Sequence, residues 1–291
     1  MEPISPPTDR VLRILQLLAS RPHEAFSLSD IVRHLGLTRA TSHAIVSTLA
    51  RAGYLLRHPL TKTFSLGPAL VAVGRAADGA FPEIVHAFGE IEKLAQVRGT
   101  VCSISAIVDG EIVILGTSGG TIGDRATPRV GQRIPFVPPY GSSALVSASE
   151  DELEAWLARS PPGTPPEEKA RYRQRVESVR SLGHGIERLT ESQARLRQIL
   201  VEIQADPLAR DLEEQVSRLA QELQRREGDG GQQGAGPTSE IFAPVEGTGL
   251  TLSLHFQQRP LSADEIDHHV ALLLAACERI ASARPQAALA T

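Results

Sequence analysis

The chain of 291 residues has little of what metal-binding, secreted or membrane proteins usually contain. Its two cysteines, Cys102 and Cys277, make neither a disulfide framework nor a metal site with CxxC spacing, so two buried thiols are expected. No apolar run approaches the length of a bilayer span, and the N-terminus lacks the charged-then-apolar pattern of a secretion signal. We therefore expect a cytoplasmic protein that does not meet a membrane.

Motifs that mark catalysis are also missing. There is no glycine-rich phosphate loop ahead of a helix, no GxSxG, no HExxH and no pair of metal ligands. His268 and His269 are adjacent on a predicted helix and point apart, which argues against joint metal binding. The sequence thus predicts no enzyme, no cofactor and no metal. An enzyme remains the alternative from another class, and a nucleophile or metal cluster would be its sign.

Positive charge is concentrated at one end of an acidic chain. Residues 1–75 contain nine Arg or Lys against four Asp or Glu, a net charge of +5, and the remainder contains 21 against 30, a net charge of −9. This division predicts that only the N-terminal part meets a polyanion.

One N-terminal segment, residues 38–53, has the pattern of a helix that reads DNA. Apolar residues recur at helical spacing and would face a core; they are Ile45, Val46, Leu49 and Ala52. The other side is small, polar and basic, with Arg39, Ala40, His43, Ala44, Ser47 and Arg51. Short side chains with a few long donors let a helix enter the major groove. An ordinary amphipathic surface helix is the alternative for this segment alone.

The flanking segments favour the DNA-reading interpretation. A first helix is predicted from Asp9, capped by Thr8, and a second is predicted after Ser29 and ends at Gly36, which can adopt a left-handed conformation. Thr38 would cap the third helix. Two alternating segments, 54–57 and 63–66, then predict a hairpin with a basic tip, that is, a wing.

Three runs of sequence carry a resemblance to a known family: DRVLRILQLL, SLSDIVRHLGLTRATSHAIVSTLARAGYL and TKTFSLGPALVAVG. Residues 8–76 resemble the winged helix-turn-helix of IclR-type bacterial transcriptional regulators, including the Leu-Gly-Leu turn and the Leu-Gly after the wing. Ala44 and Ser42 depart from residues usual in the family, so an operator sequence does not carry over. The resemblance implies a double-stranded DNA operator, a small organic effector and a homodimer or tetramer. The candidate DNA-binding residues are Ser29, Thr38, Arg39, Thr41, Ser42, His43, Ser47, Arg57 and Lys62.

Residues 130–135, followed by the small residues at 141–145, resemble the effector domain of that family, a GAF-like α/β fold. The predicted class is α+β, with a winged helix-turn-helix at 1–67, a linker helix at 68–80 and an effector domain at 81–283. A hairpin is predicted across Asp109-Gly110, another between 241–245 and 250–256, and a final helix capped by Ser262. Within this domain, 191–237 reads as a leucine-rich helical insertion followed by a glycine-rich linker.

The effector site is predicted from a glycine and small residues at a helix start. Backbone N–H groups of Gly141, Ser142 and Ser143 would bind an anion, beside Tyr140 as a donor or stacking wall. Inward-facing strand residues would complete the site, and the candidates are Cys102, Ser105, Ser253 and His255. Arg125, Arg129 and Arg133 could supply counter-charge. With the aliphatic and aromatic run 136–140, this favours an effector with an apolar body and a carboxylate head.

The prediction is therefore a ligand-responsive DNA-binding regulator, either a repressor or an activator. Effector binding would shift the spacing of two recognition helices in a dimer and so change operator affinity. A constitutive DNA-binding regulator with a non-functional pocket is the first alternative, and a GAF-like enzyme is the second.

Overall fold

The computed structural model describes residues 5–21, 24–97, 100–120, 128–160, 163–188, 238–256 and 261–283. Within these ranges the chain forms two compact units that meet in the sequence between Ala80 and Phe81. The predicted insertion at 191–237 and Arg125 lie outside the described residues. No helix in the described ranges is long and apolar enough to cross a bilayer.

The first unit contains four helices and a two-stranded sheet among its described residues. In chain order they are α1 (Pro6–Ala19), α2 (Leu28–Leu35), α3 (Arg39–Arg51), β1 (Leu55–Arg57), β2 (Phe64–Leu66) and α4 (Ala69–Ala77). A core of aliphatic residues with Phe26 and Phe64 joins α1, α2, α3 and the sheet. Backbone N–H groups and carbonyls of Phe26 and Phe64 exchange hydrogen bonds of 2.9 and 2.7 Å, which attaches the loop before α2 to the hairpin.

Two predicted helix caps in this unit are wrong. Thr8 lies inside α1, whose N-cap is Ser5. Ser29 lies inside α2, whose N-cap is Ser27, because Ser27 and Asp30 form a reciprocal capping box that satisfies two backbone donors. Gly36 ends α2 with φ +61°, as predicted.

The second unit is built on one antiparallel sheet of six strands. Its elements are α5 (Pro82–Leu94), β3 (Thr100–Val108), β4 (Glu111–Ser118), β5 (Arg133–Pro135), a 3₁₀ helix (Ser142–Leu145), α6 (Glu150–Ala158), α7 (Pro166–Leu182), β6 (Gly185–Arg188), β7 (Thr238–Val245), β8 (Leu250–Phe256) and α8 (Ala263–Ser282). The strand order is β5-β4-β3-β8-β7-β6. Asp109 and Gly110 turn the β3–β4 hairpin with φ +53° and +73°, as an Asp-Gly turn favours.

The two faces of this sheet differ in chemistry. Helices α5 and α8 pack on one face through a core that includes Ile91, Ile104, Leu252 and Leu273. On the other side of the strands, the 3₁₀ helix and α7 contact β7, β8 and β6. Trp156 of α6 is 1% exposed and lies between the rings of Phe136 and Tyr172, each 6.4 Å away. The predicted α+β class, with an N-terminal helix-turn-helix and a C-terminal antiparallel sheet domain, is confirmed.

Candidate functional site

Helix α3 has one buried side and one exposed side, as its sequence pattern predicts, except that Ala52, predicted to face the core, is exposed because it is the C-cap just beyond the last helical residue. Val46 is fully buried in the core of the first unit, and Thr38 caps the helix by accepting the Thr41 N–H at 3.2 Å. The exposed side chains are Arg39, Ala40, His43, Ala44, Ser47, Thr48 and Arg51. A row of short side chains between two arginines leaves a surface that a DNA major groove can accommodate.

Ser42 does not belong to this exposed side. It is 0% exposed, because its spacing of four from Val46 and seven from Leu49 places it on the core side of the helix. Thr41 is half-buried, and its hydroxyl accepts a 2.9 Å hydrogen bond from the Thr38 hydroxyl. Both residues therefore shape α3 rather than present donors to DNA.

Ser29 and Arg39 come together although they lie on different helices. The Arg39 guanidinium donates to the Ser29 hydroxyl at 3.5 Å, and both residues are exposed. Ser29 thus stands beside the N-terminus of α3, where it can orient the side chain with the longest reach on that surface.

The hairpin of β1 and β2 carries the other predicted cations. Arg57 and Lys62 are both exposed, and the Arg57 guanidinium lies 5.9 Å from the centre of the Phe64 ring. Lys62 has φ +58° at the turn, and its ammonium donates to the Pro59 carbonyl. Guanidinium and ammonium groups on an exposed hairpin are suited to contacts with phosphates, which add affinity without reading sequence.

The second unit places polar side chains together on one face of its sheet. Residues paired across β3, β8 and β7 share a face, and the pairs Ser103–Ser253, Ser105–Thr251 and Val101–His255 alternate with apolar pairs such as Cys102–Leu254. We call this the hydroxyl face, defined by Ser103, Ser105, Thr251, Ser253 and His255. Its four hydroxyl residues are each less than 10% exposed.

Specific hydrogen bonds organise the hydroxyl face. The Ser103 hydroxyl lies 2.8 Å from His255 Nε2, and Glu240 Oε2 lies 4.0 Å from His255 Nδ1. The Ser143 and Thr251 hydroxyls are 2.9 Å apart, which joins the 3₁₀ helix to β8. Arg175 of α7 lies 6.0 Å from the Phe242 ring centre and 3.5 Å from Glu187. This face therefore offers hydroxyl donors and acceptors, one imidazole and nearby charged groups.

Cys102, predicted to line the effector site, does not belong to the hydroxyl face. It lies on the opposite face, within the apolar core, and burial raises the pKa of its thiol to about 12. Cys102 and Ser105 are an odd number of positions apart on one strand, so they point to opposite faces and cannot line the same site.

The predicted anion site at Gly141 is also revised. Residues 142–145 form a 3₁₀ helix of four residues, which is too short to build an appreciable helix dipole. Ser142 and Ser143 are 3% and 7% exposed. Gly141 has φ +89°, and an added Cβ there would lie 2.4 Å from the Phe136 ring, so this glycine serves close packing.

Two further predicted residues have structural partners. The Tyr140 carbonyl accepts the Trp156 indole N–H at 3.2 Å. Arg133 donates to Glu111 at 2.5 Å on the neighbouring strand, so its charge is already matched. Within the described ranges, no three His, Cys, Asp or Glu side chains gather where they could hold a metal ion.

Sequence reasoning missed three polar residues of this region: Ser103, Thr251 and Glu240. The available signal was the alternation itself, since Ser103 and Ser105 share one parity in β3, and Thr251, Ser253 and His255 share one parity in β8. Glu240 had no such signal, because only the strand register brings it opposite His255.

Comparisons with known proteins agree with the architecture of both units. Residues 7–59 match the family model of the IclR helix-turn-helix domain. The chain is 28% identical to the HTH-type transcriptional regulator XynR of Escherichia coli (strain K12) over 156 residues, which span 53% of this chain and 62% of XynR.

Solved structures resemble the chain over a greater length. An IclR transcriptional regulator from Alicyclobacillus acidocaldarius aligns with a TM-score of 0.67 at 18% identity, covering 97% of this chain and 99% of that one. An IclR homologue from Microbacterium hydrocarbonoxydans, complexed with 4-hydroxybenzoate, aligns with a TM-score of 0.63 at 17% identity, covering 95% and 98%. The chain therefore carries an IclR helix-turn-helix domain and has, over nearly its whole length, the fold of the IclR-family transcriptional regulators.

Proposed function

We propose that this protein is a ligand-responsive transcriptional regulator that binds an operator through α3 and the hairpin of β1 and β2. The observation that carries the proposal is the two-sided construction of α3, with Val46 fully buried and Arg39, His43 and Ser47 exposed. The match of residues 7–59 to a DNA-binding domain family supports it. The direct experiment is selection of bound fragments from genomic DNA, followed by footprinting. Protection of one palindromic site near the gene itself is the expected result.

The operator is bound, in this proposal, by a dimer. One small DNA-binding module buries too little DNA for tight specific binding, so two half-sites should be engaged together. Helix α4 supports a dimer surface, since none of its nine residues is buried and Val71 and Val73 are 66% and 52% exposed. Leu12 of α1 is 51% exposed and is the second candidate contact.

Sedimentation analysis tests the dimer directly. The wild-type chain should sediment as a dimer, or as a tetramer made of two such dimers, at micromolar concentration. Val71→Glu should shift it towards monomer, whereas Leu182→Glu, at a side chain 58% exposed on α7, should not. A wild-type monomer, both alone and with DNA, would contradict the proposal.

The effector, in this proposal, is a small organic carboxylate with an apolar or aromatic body that binds at the hydroxyl face. Hydroxyls of Ser103, Ser105 and Ser253 and the His255 imidazole can donate to a carboxylate. An apolar cluster that includes Phe136 packs around Leu145 of the 3₁₀ helix, whose Ser143 hydroxyl lies 2.9 Å from that of Thr251 on this face. The structural relative complexed with 4-hydroxybenzoate supports a ligand of this chemical class. Effector binding would favour one spacing of the two α3 helices and so change operator affinity.

A thermal-shift screen tests the ligand class. Aromatic and fatty carboxylates should raise the melting temperature more than small hydroxy- and keto-acids, and Ser253→Ala and Tyr140→Ala should reduce the shift. Stabilisation by the small polar acids alone, unchanged in both variants, would contradict the assignment. Operator binding with no response to any acid would favour the constitutive regulator instead.

The hydroxyl face is also where the enzyme alternative can be judged. The contacts on this face follow the order of a catalytic triad, with Ser103 in the place of the nucleophile, His255 in that of the base and Glu240 in that of the acid. However, β3 is paired with β4 on one side and β8 on the other, so the backbone N–H groups around Ser103 are used in the ladder. They are not available to stabilise an oxyanion, which acyl transfer requires. The hydroxyl face is therefore better suited to binding a ligand than to catalysing acyl transfer.

A further inference from the structure

The tip of the β1–β2 hairpin is held in one shape by its own side chains. His58 Nδ1 accepts hydrogen bonds from the backbone N–H groups of Leu60 and Thr61 at 3.3 and 3.2 Å. The Thr61 and Thr63 hydroxyls are 2.8 Å apart, and the Lys62 N–H donates to the His58 carbonyl at 3.0 Å. Six residues thus form an ordered turn although they contribute nothing to the core.

This ordered turn presents one large apolar side chain to the outside. Leu60 is 84% exposed, whereas Phe64 at the base of the same hairpin is 5% exposed. Burying apolar surface is favourable in proportion to its area, so a partner that covers an exposed leucine on an ordered turn gains binding free energy. Pro59, also exposed, precedes it and adds a second rigid apolar surface.

The chemistry around Leu60 favours DNA as that partner. Arg57, His58 and Lys62 flank it and are exposed, whereas an apolar protein contact would disfavour so much charge at its centre. The hairpin follows α3 directly, with Arg51 ending the helix and Leu55 beginning β1. When α3 lies in a major groove, a hairpin beside it is next to the flanking backbone and minor groove. The minor groove is about 6 Å wide, which admits a narrow turn but no helix.

We propose that Leu60 enters the minor groove beside the half-site read by α3 and wedges against a base step, bending the operator. Apolar side chains that enter the minor groove partly unstack a step and bend the duplex towards the major groove. Pyrimidine–purine steps deform most easily, so Leu60 selects a TA or CA step at a position where it makes no hydrogen bond. Lys62 and Arg57 hold the flanking phosphates.

The proposal rests on the DNA-binding function proposed above, and its test separates the two. The probes are operator DNA with 2-aminopurine at the flanking step, whose fluorescence rises on unstacking, and circularly permuted fragments that report bending. Wild-type protein that binds no operator overturns both proposals. Wild-type protein that binds without any fluorescence rise or bend overturns only the wedge.

Leu60→Ala is the central variant, with Leu56→Ala as its matched control. Leu56 is 54% exposed on β1 of the same hairpin, so its truncation removes the same atoms from a solvent-exposed position away from the tip. Leu60→Ala should weaken operator binding about tenfold, abolish the fluorescence rise, reduce the bend and leave the salt dependence unchanged. Leu56→Ala should change none of these.

Two outcomes would overturn the wedge even if affinity falls. One is that Leu60→Ala changes the sedimenting mass of the free protein, which would place the leucine against a second protein chain. The other is that Leu60→Ala retains the full bend and loses affinity equally for operators with TA, CA and GC at the flanking step. A loss confined to operators with TA or CA is the expected result.

Discussion

The Ser103 hydroxyl lies 2.8 Å from His255 Nε2, across a separation of 152 residues in the chain. One of the two atoms must donate and the other accept, and in the tautomer with the proton on Nδ1 that N–H would face Glu240 Oε2, 4.0 Å away. Nε2 would then accept from Ser103. To donate from Nε2 to a bound carboxylate, His255 would need a proton on that atom, and Nε2 could then no longer accept from Ser103. Ligand binding and the Ser103 contact are therefore coupled through one imidazole.

Neighbouring residues on β3 provide a test of which sheet face binds the effector. Ser103→Ala removes a hydroxyl from the hydroxyl face and should weaken effector binding about tenfold, since a hydrogen bond to a charged group is worth about 1.5–3 kcal/mol. Cys102→Ala removes a core thiol and should lower the free energy of unfolding by about 1 kcal/mol with unchanged ligand affinity. Titration calorimetry and chemical denaturation measure the two effects. Weaker ligand binding in Cys102→Ala, with unchanged binding in Ser103→Ala, would show that the other face of the sheet binds the ligand.

Arg39 and Lys62 should affect DNA binding in different ways. Arg39→Ala should cost about 1–3 kcal/mol at particular operator positions, because in the proposed docking this side chain reaches base edges. Lys62→Ala should weaken all sequences alike and lower the slope of log K against log salt by about one, because it removes a phosphate contact. Fluorescence anisotropy on a set of operator variants at several salt concentrations separates them. Altered sequence preference in Lys62→Ala alone would contradict this docking.

Ser42 should act on stability and not on DNA. Its hydroxyl is buried and makes no hydrogen bond to any residue in the described part of the chain. Leaving a buried hydroxyl unpaired is costly, so Ser42→Ala should raise the free energy of unfolding by about 1 kcal/mol and leave operator affinity unchanged. Ser47→Ala, on the exposed side of the same helix, is the matched control and should leave stability unchanged. A strong loss of DNA binding in Ser42→Ala would show that Ser42 belongs to the DNA-binding surface after all.

The ion pair between Glu90 and Arg279 should make the second unit sensitive to acid. Arg279 donates to Glu90 at 2.6 and 2.9 Å, which joins α8 to α5. Burial acts to raise the pKa of the Glu90 carboxyl, but hydrogen bonds from Arg279 and Lys93 outweigh it and hold the pKa below its ordinary value of 4.5. A carboxyl whose pKa is lowered by folding adds stability above its unfolded pKa, and this contribution is lost as pH falls through the folded pKa.

Arg279→Ala should therefore lower the free energy of unfolding by about 2 kcal/mol at pH 7, and by little once Glu90 is protonated. Arg173→Ala is the control, because Arg173 pairs with Glu150 and Glu154, which are both exposed. Exposed pairs contribute about 0–1 kcal/mol. Denaturation curves measured from pH 7 down to pH 3 compare the two variants. An equal effect of Arg279→Ala at both ends of this range would be inconsistent with the lowered pKa.

Local sequence determined much of this protein, namely the elements whose cause lies within a few residues. Thr38 caps α3, Gly36 takes φ +61° after α2, and Asp109-Gly110 turns a hairpin, each through one side chain or one backbone conformation. The N-cap of α2 could also have been predicted from the local sequence. Ser27 has Asp30 three positions later and so can form a capping box, whereas Ser29 has Val32 at that position.

The candidate DNA surface could be predicted in large part because helical periodicity alone assigns each side chain of α3 to a side. Ser42 was misassigned by its polarity, although its spacing from Val46 already placed it on the core side. The ordered wing tip with Leu60 outward depends on His58 bonding backward to the turn, which no periodicity indicates.

Only the tertiary structure decided the composition of the hydroxyl face. Alternation along a strand says which residues share a face, and so excludes Cys102 and Ser105 from one site, but it does not say which face meets the helices. The register of β3, β8 and β7 then brings Ser103, His255 and Glu240 into one row from distant parts of the chain. Pairing between strands is fixed by burial of the apolar face against α5 and α8, a property of the whole sheet that no single segment contains.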